Sequence, residues 1–362
     1  MSVLNQPITL GKLKVKNRFV RSATQDFYGE PDGRISDKEL ALYQSLAENN
    51  LGLIITAHSY VQHPLGKASI NQNAIYDDKF IPGYHRLTDI VHAAGAALVV
   101  QISHAGRQVT PDFSFVPIAP SAVEDTSIKV VPREMTEDEI WQMIDAFAAA
   151  MGRVKAAGCD GIQLHIAHGY GLAQFISPHT NRRSDIWGGS IENRTRILRE
   201  IITRGRSLVG DDYPVLAKLN STDGPTSTGY LSLDDVVHTA KSLEKWGVAA
   251  IEVSGGIREN RGVMSRPAVL HPEQEAYFSE AAKTIKAATN IPIILVGGLR
   301  SLAVMEDVVS SGVADMVSLS RPLVKEPDLV TRLLSGQAKA TCVSCNACFN
   351  PAGLQCWLPK KE

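Results

Sequence analysis

His165, His168 and Tyr170 stand close together in the sequence and carry side chains that are well suited to exchanging protons. They follow the apolar run 161–164, which has the composition of a buried strand, and they precede a polar loop. Imidazole and phenol groups gathered at the end of a strand are suited to general acid–base catalysis. A single histidine there would more often be an ordinary hydrogen-bonding residue beside a loop, but the three side chains together indicate an active site.

The strands that must position these groups recur as continuous apolar runs with helical patterns between them. Unbroken rather than alternating hydrophobicity is typical of parallel strands that are buried on both faces. We predict strands near 19–23, 51–57, 97–102, 161–165, 214–220, 249–254, 292–296 and 315–319. We predict helices near 37–50, 80–94, 137–157, 192–209, 233–246, 272–288, 302–311 and 326–335. Strands that alternate with helices in this way predict the α/β class and a (β/α)8 TIM barrel.

The barrel is predicted to be a single domain over residues 1–336, followed by a short Cys-rich C-terminal tail over 337–362. Functional groups of such barrels lie just after the strands, so we expect the site at their C-terminal ends. Two longer inserts interrupt the alternation. The proline-bearing segment 109–135 is predicted to be a loop or short hairpin over part of the barrel mouth, and the arginine-bearing segment 255–271 to lie on the substrate side.

The composition excludes several classes of protein. Hydrophobic residues make up 44% of the chain and charged residues 21%, which is typical of globular proteins. The net charge of -1 indicates no basic surface for nucleic acid or an anionic membrane. The start of the chain lacks the apolar region of a signal peptide, and no apolar run reaches the roughly 18 residues of a membrane span. We expect a cytoplasmic protein that binds neither nucleic acid nor membrane.

A phosphate site is predicted where the last two strands of the barrel end. Gly297 and Gly298 follow the seventh strand, and Ser320 and Arg321 follow the eighth. Barrels often bind a phosphate there with backbone N–H groups, which glycine leaves accessible, and arginine adds a charged fork. The alternative is a tight turn with a surface arginine, but the pairing of the two segments favours phosphate.

A second ligand-binding feature is predicted at the centre of the barrel mouth. Gln101 and Lys218 end the third and fifth strands. An amide and a cation together suit the polar edge of a heterocycle that becomes anionic on reduction. A structural salt bridge is the alternative interpretation of Lys218, because a buried lysine is costly without a partner.

Longer motifs around these residues resemble the old yellow enzyme family, the FMN-dependent ene-reductases and NADH:flavin oxidoreductases. The resemblance is carried by the run 161–194, which contains His165, His168 and Tyr170, by Gln101 with the motif 104–107, and by the motif 320–323. It extends from residue 7 over nearly the whole chain. It implies a TIM barrel with FMN across its mouth.

The resemblance also implies which residues hold the cofactor. It places Ser22, Ala23, Thr24, Gln25 and Ala57 along the flavin ring, with His165 also beside it, Gln101 and Lys218 at its polar edge, and Gly297, Gly298, Ser320 and Arg321 at the phosphate.

The reaction that the resemblance implies has two halves. NADH or NADPH passes hydride to the flavin, and a small enone or enal then binds with its oxygen hydrogen-bonded to His165 and His168. The flavin returns hydride to the β-carbon, and Tyr170 protonates the α-carbon. The resemblance further implies a homo-oligomer.

Four cysteines in the tail form a separate candidate site. Their spacing, C-x2-C-x2-C-x7-C, suits a tetrahedral metal or an iron–sulfur cluster. The ligands would be Cys342, Cys345, Cys348 and Cys356. The tail resembles the 4Fe-4S segment of the 2,4-dienoyl-CoA reductase branch, but its third cysteine lies one residue closer and its last loop is shorter. The sequence is consistent with three alternatives for these cysteines: an iron–sulfur cluster, a zinc ion or a tail of free thiols.

Two other functions fit parts of the sequence. A flavin and iron–sulfur electron-transfer subunit would use the tail to dock a partner and would not reduce enones with NAD(P)H. A metal-dependent barrel lyase or hydrolase would use His165 and His168 as ligands. The absence of a carboxylate at a suitable spacing in the same stretch argues against this last alternative.

Overall fold

Short apolar runs form parallel strands, in which each backbone N–H and C=O pairs with a neighbouring strand and both faces are covered. The computed structural model describes residues 2–110 and 113–358. Its strands are β1 (Ile8–Leu10), β2 (Leu13–Val15), β3 (Phe19–Arg21), β4 (Leu53–Ile55), β5 (Ser59–Tyr60), β6 (Ala97–Ser103), β7 (Ile118–Ala119), β8 (Arg133–Glu134), β9 (Gly161–Ile166), β10 (Val215–Asn220), β11 (Ala250–Ser254), β12 (Ile293–Val296) and β13 (Met316–Leu319).

The parallel strands close into a barrel. Their order is β4-β3-β13-β12-β11-β10-β9-β6, and β4 pairs with β6 to complete the ring. The strands predicted from the apolar runs are all present, with ends within about two residues of the predictions. The (β/α)8 TIM barrel is therefore confirmed. β1 and β2 form a separate antiparallel hairpin, which the sequence analysis did not predict.

The helices alternate with the barrel strands, and four of the described α-helices begin at Ser or Thr residues whose side chains cap them. Thr136 and Glu139 form a capping box at the start of the longest described helix. The predicted helix 272–288 is instead a 3-10 turn at Pro272–Gln274 followed by a separate helix. No helix in residues 2–110 and 113–358 is long and apolar enough to cross a membrane. The helices are α1 (Asp37–Ala47), α2 (Ile81–Ala93), α3 (Glu137–Ala156), α4 (Gly171–Ile176), α5 (Ile191–Val209), α6 (Leu233–Lys245), α7 (Arg261–Met264), α8 (Ser279–Ala288), α9 (Leu302–Ser310), α10 (Arg321–Lys325) and α11 (Leu329–Leu334).

The barrel interior changes from apolar to polar along the strands. Successive side chains of a strand point to opposite faces, so every second residue faces inward. In β11, Ala250 belongs to the apolar cluster inside the barrel, and Glu252 and Ser254 follow on the same face. In β10, Leu216 is succeeded by Lys218 and Asn220 in the same way. The apolar cluster therefore closes the lower end of the barrel and leaves a polar layer beneath its mouth.

The two inserts and the tail lie around the mouth. Within 109–135, β7 and β8 pair in parallel and Asp125 makes an isolated antiparallel bridge with Val130, while residues 111–112 of this insert lie outside the described part. In the tail, Lys339 bridges Ser301, and the Leu354 N–H donates to the Asp26 carbonyl over 3.0 Å. The boundary at residue 336 stays a prediction, but the tail is in contact with the barrel.

Candidate active site

A network of buried polar side chains forms the layer beneath the barrel mouth. Gln101 lies beside Gln163 in the sheet, and its Nε2 donates to Gln163 Oε1 over 2.7 Å. Gln163 Nε2 in turn donates to Glu252 Oε2 over 2.9 Å. The hydroxyls of Ser22 and Ser318 donate to Glu252 Oε1 over 2.7 and 2.8 Å. A carboxylate with this many donors is stabilised in its charged form.

Lys218 is the cation of this layer. Its Nζ lies 3.3 Å from Glu252 Oε1 and donates to Ser22 Oγ over 2.7 Å. Burial by itself would raise the pKa of Glu252, but Lys218 and the hydrogen bonds outweigh it and hold that pKa below its usual value. The salt bridge that was an alternative interpretation of Lys218 is therefore present, and Lys218 nevertheless also lines the cavity above.

The two histidines and the tyrosine of the first motif meet at the end of β9. The ring centroids of His165 and His168 are 5.3 Å apart, and those of His165 and Tyr170 are 4.9 Å apart. His168 has a φ of +62°, in the left-handed region that costs a non-glycine residue about 1 to 3 kcal/mol. His168 Nε2 lies 2.7 Å from Ser254 Oγ. Within the described residues, the buried His165 Nδ1 has no hydrogen-bond partner.

Electrostatics sets the protonation of these groups. Burial lowers the pKa of both His165 and His168 well below the usual value, and the charge of Lys218 adds to the effect. Burial raises the pKa of Tyr170, and the opposing charges of Arg258 and Arg261 do not cancel the increase. At neutral pH the site therefore presents two neutral imidazoles and a protonated phenol.

His58 is part of the same cluster, although the sequence analysis gave it no role. Its ring centroid lies 4.8 Å from that of Tyr170 and 5.7 Å from that of His165. His58 Nδ1 is 2.8 Å from Ser103 Oγ, and burial lowers the pKa of His58 to about 4. Its position one residue after the predicted strand 51–57 is the signal that could have identified it.

A cavity of about 760 Å³ lies above the polar layer and beside the aromatic cluster. Every predicted catalytic residue lines it, and every predicted cofactor-binding residue except Ala57 does so. Ala57 is buried, and its N–H donates to Tyr43 Oη over 2.7 Å. The cavity brings residues 22–25, Gln101 and Lys218 together with the segments that follow β12 and β13. The roles of these residues stay predictions.

The glycine and arginine end of the cavity has an accessible backbone. Gly297 and Gly298 both have positive φ angles, +142° and +71°, and both line the cavity. Arg321 is buried, and its Nη1 donates to Asn346 Oδ1 over 2.6 Å and to the Arg266 carbonyl over 2.9 Å. A backbone without side chains beside a fixed guanidinium is suited to a phosphate.

Comparison with known proteins agrees with the fold and with the site. The sequence profile described as "NADH:flavin oxidoreductase / NADH oxidase family" matches residues 3–340. The chain belongs to this family. The family is one of FMN-dependent oxidoreductases, and its relatives include proteins named NADH oxidase and NADPH dehydrogenase. The family resemblance that the motifs indicated is thereby confirmed.

Individual relatives differ in length. The chain is 37% identical to the NADH oxidase of Thermoanaerobacter brockii over 93% of its own length and 52% of that protein's. It therefore spans about half of that relative. It is 34% identical to the NADPH dehydrogenase of Halalkalibacterium halodurans, with 86% of this chain and 88% of that protein covered. The structure of the old yellow enzyme homologue from Zymomonas mobilis has a TM-score of 0.79 and 25% identity, with 94% and 95% covered.

The residues of the cavity fit FMN. Its volume lies in the range of cofactor pockets, which is about 300 to 1,000 Å³. The unpartnered nitrogen of His165 and the unpartnered Oε1 of Gln25 are buried polar atoms that a ligand can satisfy. Lys218 supplies a cation at the floor, and Gly298 supplies an open backbone. A group with a polar ring edge and a phosphate matches this distribution.

The cysteines of the tail lie together but do not form a metal site as they stand. All four line a small cavity of about 20 Å³. Cys342 is buried, whereas Cys345 is exposed. In residues 2–110 and 113–358, no group of three or more His, Cys, Asp or Glu side chains is arranged to hold a metal ion. The ligand set Cys342, Cys345, Cys348 and Cys356 stays a prediction.

Proposed function

We propose that this chain reduces the carbon–carbon double bond of α,β-unsaturated carbonyl compounds at the expense of NAD(P)H. The observation that carries the proposal is the cluster of neutral His165, neutral His168 and protonated Tyr170 at one cavity. A neutral imidazole can donate its N–H to a carbonyl oxygen, and a phenol can donate a proton to carbon.

The cavity would hold FMN with residues 22–25, Gln101 and Lys218 at the ring and with Gly298 and Arg321 at the phosphate. When bound, FMN supplies the hydride transfer that connects the nicotinamide to the substrate. The contribution of the protein is to bind both partners in one place and to orient them.

The two histidines bind and activate the substrate carbonyl. As the β-carbon accepts hydride, negative charge develops on the carbonyl oxygen, and N–H donors fixed beforehand stabilise that charge. His168 is fixed by Ser254 and by the strained turn, and His165 is fixed by packing between His58 and Tyr170. Because both rings are neutral in the buried site, each presents one donor and one acceptor nitrogen.

Tyr170 completes the reaction by giving its phenolic proton to the α-carbon. The substrate thus gains a hydride at one carbon and a proton at the other, while NAD(P)H is oxidised to NAD(P)⁺. The phenolate left on Tyr170 is stabilised by Arg258 and Arg261, whose charges lower its pKa, until solvent restores the proton.

The proposal is tested with the variant Tyr170→Phe. We expect the variant to bind FMN and to oxidise NAD(P)H as the unchanged protein does, because the phenol is not needed for either. Enone reduction should be slower by about 100- to 10,000-fold, the usual contribution of a general acid. Rapid-mixing spectroscopy of the two half-reactions under anaerobic conditions measures both rates.

Tyr230→Phe is the matched control, because Tyr230 stacks on His179, with ring centroids 4.4 Å apart, and does not line the cavity. An equal enone rate in Tyr170→Phe and the unchanged protein would remove Tyr170 from the role of proton donor. Bound flavin with no enone reduction by the unchanged protein would favour the electron-transfer subunit.

A further inference from the structure

The side chains that line the cavity include several cations and, among the described residues, no acid. Its lining contains Lys218 and four arginines, and none of the described residues that line it is Asp or Glu. Lys218 is paired with Glu252. Arg321 donates to Asn346 and backbone carbonyls, and Arg300 donates to the carbonyls of Val269 and Ala340. The remaining two cations are Arg258 and Arg261.

These two arginines have no side-chain partner among the described residues. In residues 2–110 and 113–358, neither Arg258 nor Arg261 makes a side-chain hydrogen bond or an ion pair. Arg258 is half-buried, and its Nε is a buried donor without an acceptor. A buried donor left unsatisfied costs free energy, so its persistence points to an acceptor that arrives from outside the protein.

The surrounding segment is fixed by contacts that leave the two arginines free. Glu259, which lies between them in sequence, accepts hydrogen bonds from Arg107 and from Thr126, whose N–H and hydroxyl lie 3.1 and 3.0 Å away. Its Oε2 also lies 3.4 Å from His179 Nε2. Ile257, one residue before Arg258, bridges His168. The acid nearest in sequence is thus occupied elsewhere, and the segment is attached to the catalytic turn.

The two arginines act on the catalytic end of the cavity. Their charges lower the pKa of Tyr170, while the charge of Arg321 lowers the pKa of Tyr277 instead. In both tyrosines burial is the larger effect and raises the pKa. Arg258 and Arg261 therefore lie beside the proton donor, whereas Arg321 lies at the glycine turn.

We propose that Arg258 and Arg261 bind a carboxylate carried by the substrate, so that the preferred substrate is an α,β-unsaturated carbonyl compound with a free acid group. The guanidinium fork matches a carboxylate with two parallel hydrogen bonds. This inference rests on the proposed function, because it names the substrate class of the same site. It adds substrate recognition to the effect of the two arginines on Tyr170.

The test is a pair of ligands that differ by one methyl group, which removes the negative charge: an enone with a terminal carboxylate two methylene groups beyond its double bond, and the methyl ester of that acid. Each is titrated into the oxidised FMN-loaded protein without NAD(P)H, and binding is followed by the flavin absorbance. We expect the acid to bind about 10- to 100-fold more tightly than the ester, as hydrogen bonds to charged groups allow. Arg258→Gln and Arg261→Gln should each weaken binding of the acid and leave binding of the ester unchanged.

Arg266→Gln is the control, because Arg266 belongs to the same segment and packs over the Tyr277 ring at 4.7 Å without lining the cavity. Equal binding of acid and ester, or equal weakening of both in the arginine variants, would overturn the inference. So would variants that weaken only NAD(P)H, since the arginines would then serve the coenzyme phosphates. Selective binding of the acid without its reduction after NAD(P)H is added would contradict the proposed function but leave the carboxylate site standing.

Discussion

At the scale of single residues, Glu252 is the group on which the floor of the site depends. It is fully buried, accepts three hydrogen bonds from Ser22, Gln163 and Ser318, and pairs with Lys218. A buried ion pair is sensitive to the loss of either member, because the remaining charge is left in a medium that solvates it poorly. Lys218 would be that remaining charge.

We expect Glu252→Gln to destabilise the protein by about 3 to 5 kcal/mol, the usual cost of breaking a buried pair. Lys218 also lines the cavity, so its unbalanced charge should make the midpoint potential of bound FMN more positive. Urea unfolding measures the first effect, and a redox titration of the FMN-loaded protein measures the second.

Glu280→Gln is the matched control, because Glu280 is exposed and the charge change is the same. The folded state holds the pKa of Glu252 below its usual value, so this stabilisation is present above the usual glutamate range and is lost as the pH falls through the lowered pKa. Glu252→Gln should lack that part of the acid dependence. An unchanged potential in Glu252→Gln would show that Lys218 does not act on the flavin.

At the scale of secondary-structure elements, the turn after β12 carries the most restricted backbone of the site. Gly298 has a φ of +71°, and a Cβ there would lie 2.8 Å from Tyr277 Cε1. Gly312, after α9, has a similar φ of +77°, but a Cβ there would have no atom within 4 Å. Comparing alanine substitutions at Gly298 and Gly312 therefore separates the effect of backbone strain from the effect of contact with the cavity wall.

We expect Gly298→Ala and Gly312→Ala each to lower the free energy of unfolding by about 1 to 3 kcal/mol, since both place a side chain in the left-handed region. Gly298→Ala should additionally raise the dissociation constant of FMN by about tenfold, or 1.4 kcal/mol, because the turn must move away from Tyr277. Quenching of FMN fluorescence measures that constant. Equal FMN affinity in the two variants would contradict a role of the turn in FMN binding.

The sequence predicted the elements better than the contacts between them. Each barrel strand was identifiable because its apolar run is continuous, and position near or just beyond the C-terminal end of a strand was enough to select His165, Lys218 and Gly298. Glu252 was not selected, because it lies within the apolar run of β11 and its inward direction depends on the closed barrel. The partners of Glu259 depend on two inserts whose paths no local pattern specifies.

At the scale of the whole molecule, Asn346 connects three segments that are far apart in the chain. Its Oδ1 accepts from Arg321 Nη1 over 2.6 Å and from Ser265 Oγ over 3.0 Å, and its Nδ2 donates to the Ser265 carbonyl over 2.9 Å. The tail, the arginine-bearing insert and the start of α10 thus meet at one side chain. Ser344, Asn346 and Phe349 also line the cavity, so the tail forms part of the site.

We therefore expect Asn346→Ala to weaken FMN binding by about tenfold, since the loss of one hydrogen bond to a charged group is worth about 1.5 kcal/mol or more. Arg321 would keep its backbone acceptors but lose the side chain that fixes its direction. Asn350→Ala is the matched control, because the Asn350 side chain accepts from the Ala352 N–H within the tail. The measurement is the dissociation constant of FMN for each of the two variants. If Asn350→Ala weakens FMN as much as Asn346→Ala does, the tail acts through its general packing. If neither variant weakens FMN, Arg321 is positioned by the barrel alone and the tail is not needed for the cofactor.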